Sequence, residues 1–66
     1  MNVTVNGAAA DLAADATVAT LVAERSGGHD RVAVALNGDV VPRSRWTATR
    51  LSDGDSIEVL APTAGG

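Results

Sequence analysis

The dipeptide Asn-Gly occurs twice in this chain, at Asn6-Gly7 and Asn37-Gly38, each time closely following apolar residues in a strand-like run. A two-residue type I′ hairpin turn needs positive φ at both central positions, which Asn tolerates and Gly adopts freely. Before the first turn, Val3 and Val5 alternate with Asn2 and Thr4, the period of a half-buried strand. After it, residues 8–13 are the expected return strand, with Leu12 as the one large anchor. The alanine run there prefers helix, and we give the turn signal precedence. Before the second turn, residues 31–36 read as an interior strand apolar on both faces. Val32, Val34 and Leu36 would lie under a helix, with Ala33 and Ala35 on the other side. Val40-Val41 is the short return, and Pro42, having no N–H for a ladder, ends it.

One helix is expected between the hairpins. Asp15 or Thr17 offers an N-cap oxygen, and Val18, Leu21, Val22 and Arg25 recur on one helical face. Ser26-Gly27-Gly28 supplies the stop. Residues 43–49 should form one helical turn carrying Trp46, and Ser52-Asp53-Gly54-Asp55 a turn. Residues 56–60 are the last strand, with Ile57 and Val59 facing one way and Glu58 and Leu60 the other. This order describes a two-layer α+β domain of β-grasp, ubiquitin-like type. One main helix packs on a mixed sheet of four to five strands. The domain is expected to span residues 1–60, with residues 61–66 as a flexible tail.

Composition narrows the function. The larger apolar residues are nine Val, five Leu, one Ile, one Met and one Trp. They fill one thin core and leave little room for a cofactor pocket, so no bound cofactor is expected. Cysteine is absent, which removes disulfides, Cys–zinc sites, thiol nucleophiles and iron–sulfur sites together. Small secreted domains use such staples, so a cytoplasmic location is expected. No apolar h-region follows Met1, and the longest apolar run is the five residues 32–36, so no membrane segment is expected. Five Arg against eight acids give a net charge of −3. That is not the basic footprint of a nucleic-acid binder, and protein partners are expected. There is no Lys, hence no side-chain amine for a Schiff base. His29 lacks triad partners and reads as a solvated loop residue. Asp53 and Asp55 read as turn residues, and Gly27-Gly28 lacks the Lys and helix of a phosphate loop. No active site is assembled, so the chain is not expected to be an enzyme.

The chemistry points instead to the last residues, Thr63-Ala64-Gly65-Gly66. Two closing glycines also suit a frayed end of small residues. Yet six residues after the last strand reach about 20 Å, and none is bulkier than Pro or Thr. Ala64 and Gly65 would pass through a narrow partner channel, and Gly66 would present its carboxylate inside another protein's active site. A carboxylate reacts only once its oxygen is made a leaving group. Adenylation with ATP, held by the partner enzyme, does this, and a sulfur donor that displaces AMP leaves a thiocarboxylate.

The stretch Ala35-Leu36-Asn37-Gly38-Asp39-Val40-Val41-Pro42-Arg43-Ser44-Arg45-Trp46 is the characteristic one. With Leu51-Ser52-Asp53-Gly54-Asp55-Ser56-Ile57-Glu58-Val59 and Gly65-Gly66, it resembles the ubiquitin-like sulfur carrier proteins of thiamine (thiazole) biosynthesis over nearly the whole length. The resemblance implies a β-grasp fold and adenylation of Gly66 by an E1-like adenylating enzyme. It implies sulfur drawn from cysteine through a cysteine desulfurase, and delivery of that sulfur to thiazole synthase. The bare Ala8-Ala9-Ala10 and the lack of Phe and Tyr depart from the family pattern. Carriers for molybdopterin or cysteine-type sulfur metabolism, a ubiquitin-like protein modifier and a plain interaction domain stay open beside it. Three residues are candidates for a partner interface. Trp46 is either core or partner contact, Arg43 either a solvated residue or a salt bridge to a partner, and Leu60 an apolar contact beside the tail.

Overall fold

Both Asn-Gly turns form. Asn6 and Gly7 have φ of 51° and 81°, and Asn37 and Gly38 have φ of 50° and 88°, as a type I′ turn requires. The computed structural model describes residues 1–25 and 31–60. The first turn joins β1 (Asn2–Val5) to β2 (Ala8–Asp11), antiparallel with Val5 opposite Ala8. The second joins β3 (Ala33–Leu36) to β4 (Asp39–Val40), with Leu36 opposite Asp39. Helix α1 spans Val18–Arg25 and a short 3-10 helix Arg43–Arg45; β5 is Ser56–Leu60.

The five strands make one mixed sheet in the order β2-β1-β5-β3-β4. β5, the last strand among the described residues, thus lies in the middle. β5 runs parallel to β1, with Val5 beside Ile57, and antiparallel to β3, with Val34 opposite Val59. One helix on a five-stranded mixed sheet is the β-grasp arrangement expected from the pattern.

Several element bounds differ from the sequence reading. The return strand stops at Asp11 rather than residue 13, because Leu12 turns inward and joins the core. Its N–H donates to the Met1 carbonyl at 2.8 Å. β3 begins at Ala33 rather than residue 31, although Val32 is buried. The return after the second turn is Asp39–Val40 rather than Val40-Val41. A two-residue turn at 37–38 places residue 39 opposite residue 36, which fixes that register. β3 has a neighbour on each edge, but only one of its faces is covered, since Ala33 is exposed. The 3-10 bonding continues past Arg45, with Trp46 N–H to the Arg43 carbonyl at 3.1 Å and Ala48 N–H to Arg45 at 3.1 Å.

Of the two cap candidates, Thr17 starts the helix. Its hydroxyl accepts from the Thr20 N–H at 3.3 Å, and the Thr20 hydroxyl accepts from the Thr17 N–H at 2.9 Å. This reciprocal pair satisfies two otherwise orphaned donors. The expected stop at Ser26-Gly27-Gly28 lies outside the described residues.

The core fills the space between α1 and one sheet face. It includes Val3 and Val5 of β1, Val18, Leu21 and Val22 of α1, Val34 and Ile57, with Leu12, Leu51 and Trp46 closing its margins. Val18 and Ile57 are fully buried, each burial contributing about 1.5–3 kcal/mol. Among the described residues no polar or charged side chain is buried.

Candidate functional site

The site expected from the sequence is the chain beyond β5, so the geometry that matters is how β5 ends. Paired residues on neighbouring strands share a sheet face, and alternate residues switch faces. Leu60 stands opposite Ala33, Glu58 opposite Ala35, and Ala35 opposite Val40. All of them therefore lie on the face away from α1. Leu60 is 63% exposed and Val40 75%. They are the large apolar side chains left in solvent among the described residues. With Ala33 and Ala35 between them, they lay an apolar strip across β5, β3 and β4.

β5 is tied along both edges by asparagine side chains. At its start, Asn37 Oδ1 accepts from the Ser56 N–H at 2.9 Å, and Asn37 Nδ2 donates to Asp55 Oδ1 at 3.1 Å. Asp55 Oδ2 in turn accepts from the Ser52 N–H at 2.7 Å, closing the turn before the strand. Near its end, Asn6 Oδ1 accepts from the Val59 N–H at 2.8 Å and Asn6 Nδ2 donates to the Val59 carbonyl at 3.2 Å.

The three interface candidates do not form one surface. Leu60 is on the open face. Trp46 is 8% exposed and packs in the core of this domain. Its main-chain carbonyl accepts from the Ala19 N–H at 3.2 Å, on the helix side of the sheet. Arg43 is exposed, and its guanidinium carbon lies 5.5 Å from the Trp46 ring centroid, a cation–π distance. Gly66, Gly65 and Ala64 lie outside the described residues, as does His29.

Two features went unread in the sequence. Val40 was assigned to a strand but not to the open face. The two-residue turn carried that signal, since it sets residue 40 opposite residue 35. The reach of Asn6 and Asn37 onto β5 had no local signal, because it depends on which strands are neighbours. Among the described residues no group of three or more His, Cys, Asp or Glu side chains could hold a metal ion. Among the same described residues no helix is long and apolar enough to cross a membrane.

The sheet order, the single helix and the central last strand define a ubiquitin-like β-grasp domain whose last strand ends beside an exposed apolar strip. The ThiS family model matches residues 3–66, and the chain belongs to the ThiS family. It is similar to the thiamine biosynthesis protein ThiS from Geobacter metallireducens in two solved structures. The crystal structure aligns over 100% of both chains at 36% identity and a TM-score of 0.83. The solution structure of a thiamine biosynthesis protein from that organism aligns over 100% of this chain and 88% of the other, at 39% identity and a TM-score of 0.80. The chain is also 33% identical over 66 residues to a thiazole synthase from Paramagnetospirillum magneticum. It spans 20% of the length of that curated relative.

Proposed function

We propose that this chain is a sulfur carrier for thiazole formation in thiamine biosynthesis, with Gly66 as the residue that bears the sulfur. The observation that carries the reading is the family match, which runs through residue 66 and so includes both closing glycines. The chain acts as a co-substrate and leaves catalysis to its partners.

An E1-like adenylating enzyme holds ATP. The Gly66 carboxylate attacks the α-phosphorus and pyrophosphate leaves. A persulfide sulfur supplied from cysteine by a cysteine desulfurase then displaces AMP to form an acyl disulfide, and a second thiol reduces that S–S bond, releasing the thiocarboxylate and a mixed disulfide. Ala64 and Gly65 present no bulk to a narrow channel. Thiazole synthase is the recipient. Support for that partner comes from the Paramagnetospirillum relative, where a protein named thiazole synthase contains a segment similar to this whole chain. The strip of Leu60 and Val40 docks on the partners beside the reacting end, and Arg43 offers them a cation off that strip. A cytoplasmic location goes with this reading.

Intact mass spectrometry tests the reading. The protein is incubated with ATP, cysteine, a cysteine desulfurase and the adenylating enzyme. A mass change equal to exchange of one oxygen for sulfur, localised to Gly66, is the expected result. An unchanged mass, with the enzyme active on another carrier, overturns it. Deletion of Gly66 should abolish the change while the circular dichroism spectrum stays that of the intact domain.

A further inference from the structure

The parallel ladder between β1 and β5 ends early on the β1 side. Asn6 N–H donates to the Ile57 carbonyl at 2.8 Å. In a continuing parallel ladder the next bond would run from the Val59 N–H to the Asn6 main-chain carbonyl. Asn6 has instead entered the turn at φ 51°, which takes its backbone away from β5. Its side chain fills the gap. Oδ1 accepts the Val59 N–H at 2.8 Å, and Nδ2 donates to the Val59 carbonyl at 3.2 Å. One carboxamide stands in for the peptide group that β1 no longer provides.

Val59 is one residue before Leu60, and on its other edge β5 pairs with β3 up to Ala33 and Leu60. We propose that Asn6 is a positioning residue for the reaction at Gly66. Its carboxamide holds β5 in the sheet up to Leu60, and so fixes the anchor point from which Gly66 is presented. If the strand peeled back by two residues, the free segment would lengthen by about 7 Å. Leu60 would then leave the apolar strip, and the reactive end would explore a larger volume, lowering its effective concentration in a partner's site. The assignment rests on the carrier reading for its effect on activation, but not for the anchoring of Val59.

Asn37 provides a matched comparison. It has the same residue type, the same turn and nearly the same φ, and its side chain reaches the opposite end of β5. Asn6→Gly and Asn37→Gly both keep a residue that accepts positive φ and remove only a carboxamide. Amide hydrogen exchange in the full chain should show Val59 exchanging about tenfold faster, relative to Val34, in Asn6→Gly. Asn37→Gly should leave that ratio unchanged. Steady-state activation by the adenylating enzyme should show KM for the carrier raised about tenfold in Asn6→Gly, with kcat little changed. Asn6→Asp keeps the acceptor for Val59 and should recover part of the KM loss.

An unchanged Val59-to-Val34 ratio in Asn6→Gly overturns the anchor. Selective loosening of Val59 with the same KM in both glycine variants overturns the positioning role. Failure of the wild-type chain to be activated overturns the carrier reading, and the positioning role with it, while the exchange data still decide the anchor.

Discussion

The indole N–H of Trp46 donates to the Val41 carbonyl at 2.9 Å, across the loop that leaves β4. Together with Arg43 over the ring, this bond clasps the segment that leads from the second hairpin toward β5. Trp46→Phe removes the donor and part of the ring volume. It should cost about 1–2 kcal/mol, read as a lower denaturation midpoint in circular dichroism. A variant as stable as the wild type would show that the bond and the lost volume contribute nothing. Trp46 is also the one Trp in the chain, so its emission should report unfolding of the wild-type core directly.

The Thr17–Thr20 pair makes a second prediction. Thr17→Ala removes the cap oxygen and should cost about 1 kcal/mol, whereas Thr17→Ser should be close to neutral. The start of α1 is stitched further by Val18 N–H to the Thr49 carbonyl and Leu51 N–H to the Ala16 carbonyl, each at 3.0 Å. A urea titration of both variants checks this. Equal loss in Ala and Ser would assign the effect to the threonine methyl.

Gly54 separates backbone strain from crowding. Its φ is +89°, yet an added Cβ would meet nothing within 4 Å. Gly54→Ala should therefore keep the fold and lose about 1–2 kcal/mol through the backbone alone. Thermal melting should fall by roughly 4–8 °C per kcal/mol in a domain of this size. An unchanged melting temperature would mean that the turn relaxes to negative φ.

The apolar strip gives an interface prediction. Leu60→Ser and Val40→Ser alter exposed side chains and should change stability by no more than about 0.5 kcal/mol. Each should weaken binding to the adenylating enzyme or to thiazole synthase by several-fold, measured by calorimetry or interferometry. Unaltered affinity for both partners would remove the strip from the docking surface.

Much of this fold was legible because its signals are local. The Asn-Gly turns, the alternation of Val3 and Val5 and the face of Val18, Leu21 and Val22 each specify an element within a few residues. The turn at Asn6-Gly7 prevailed over alanine's helical preference because β1 offers Ala8, Ala9 and Ala10 a ladder that an isolated run lacks. What was not legible depends on distant pairing. The placement of β5 joins residues about fifty positions apart on the β1 side and 21 to 27 apart on the β3 side, and no periodicity records it. The same ignorance hid the reach of Asn6 to Val59 and of Asn37 to Ser56. A lone Trp carries no periodic mark of burial, so the burial of Trp46 shows only in its surroundings. At the candidate site, Leu60 was found from strand alternation, while Val40 needed the hairpin register.

Among the described residues β5 is the last strand in sequence and the one on which the sheet closes. β1 and β3 meet only through it. A nascent chain that has not yet delivered Ser56–Leu60 holds two separate hairpins with unpaired edges and lacks Ile57 from its core. Closure of the sheet therefore depends on residues 56–60. The exposed apolar strip likewise needs β5 beside β3. A chain cut short of Leu60 therefore lacks both the joined sheet and the apolar surface that Leu60 and Val40 share.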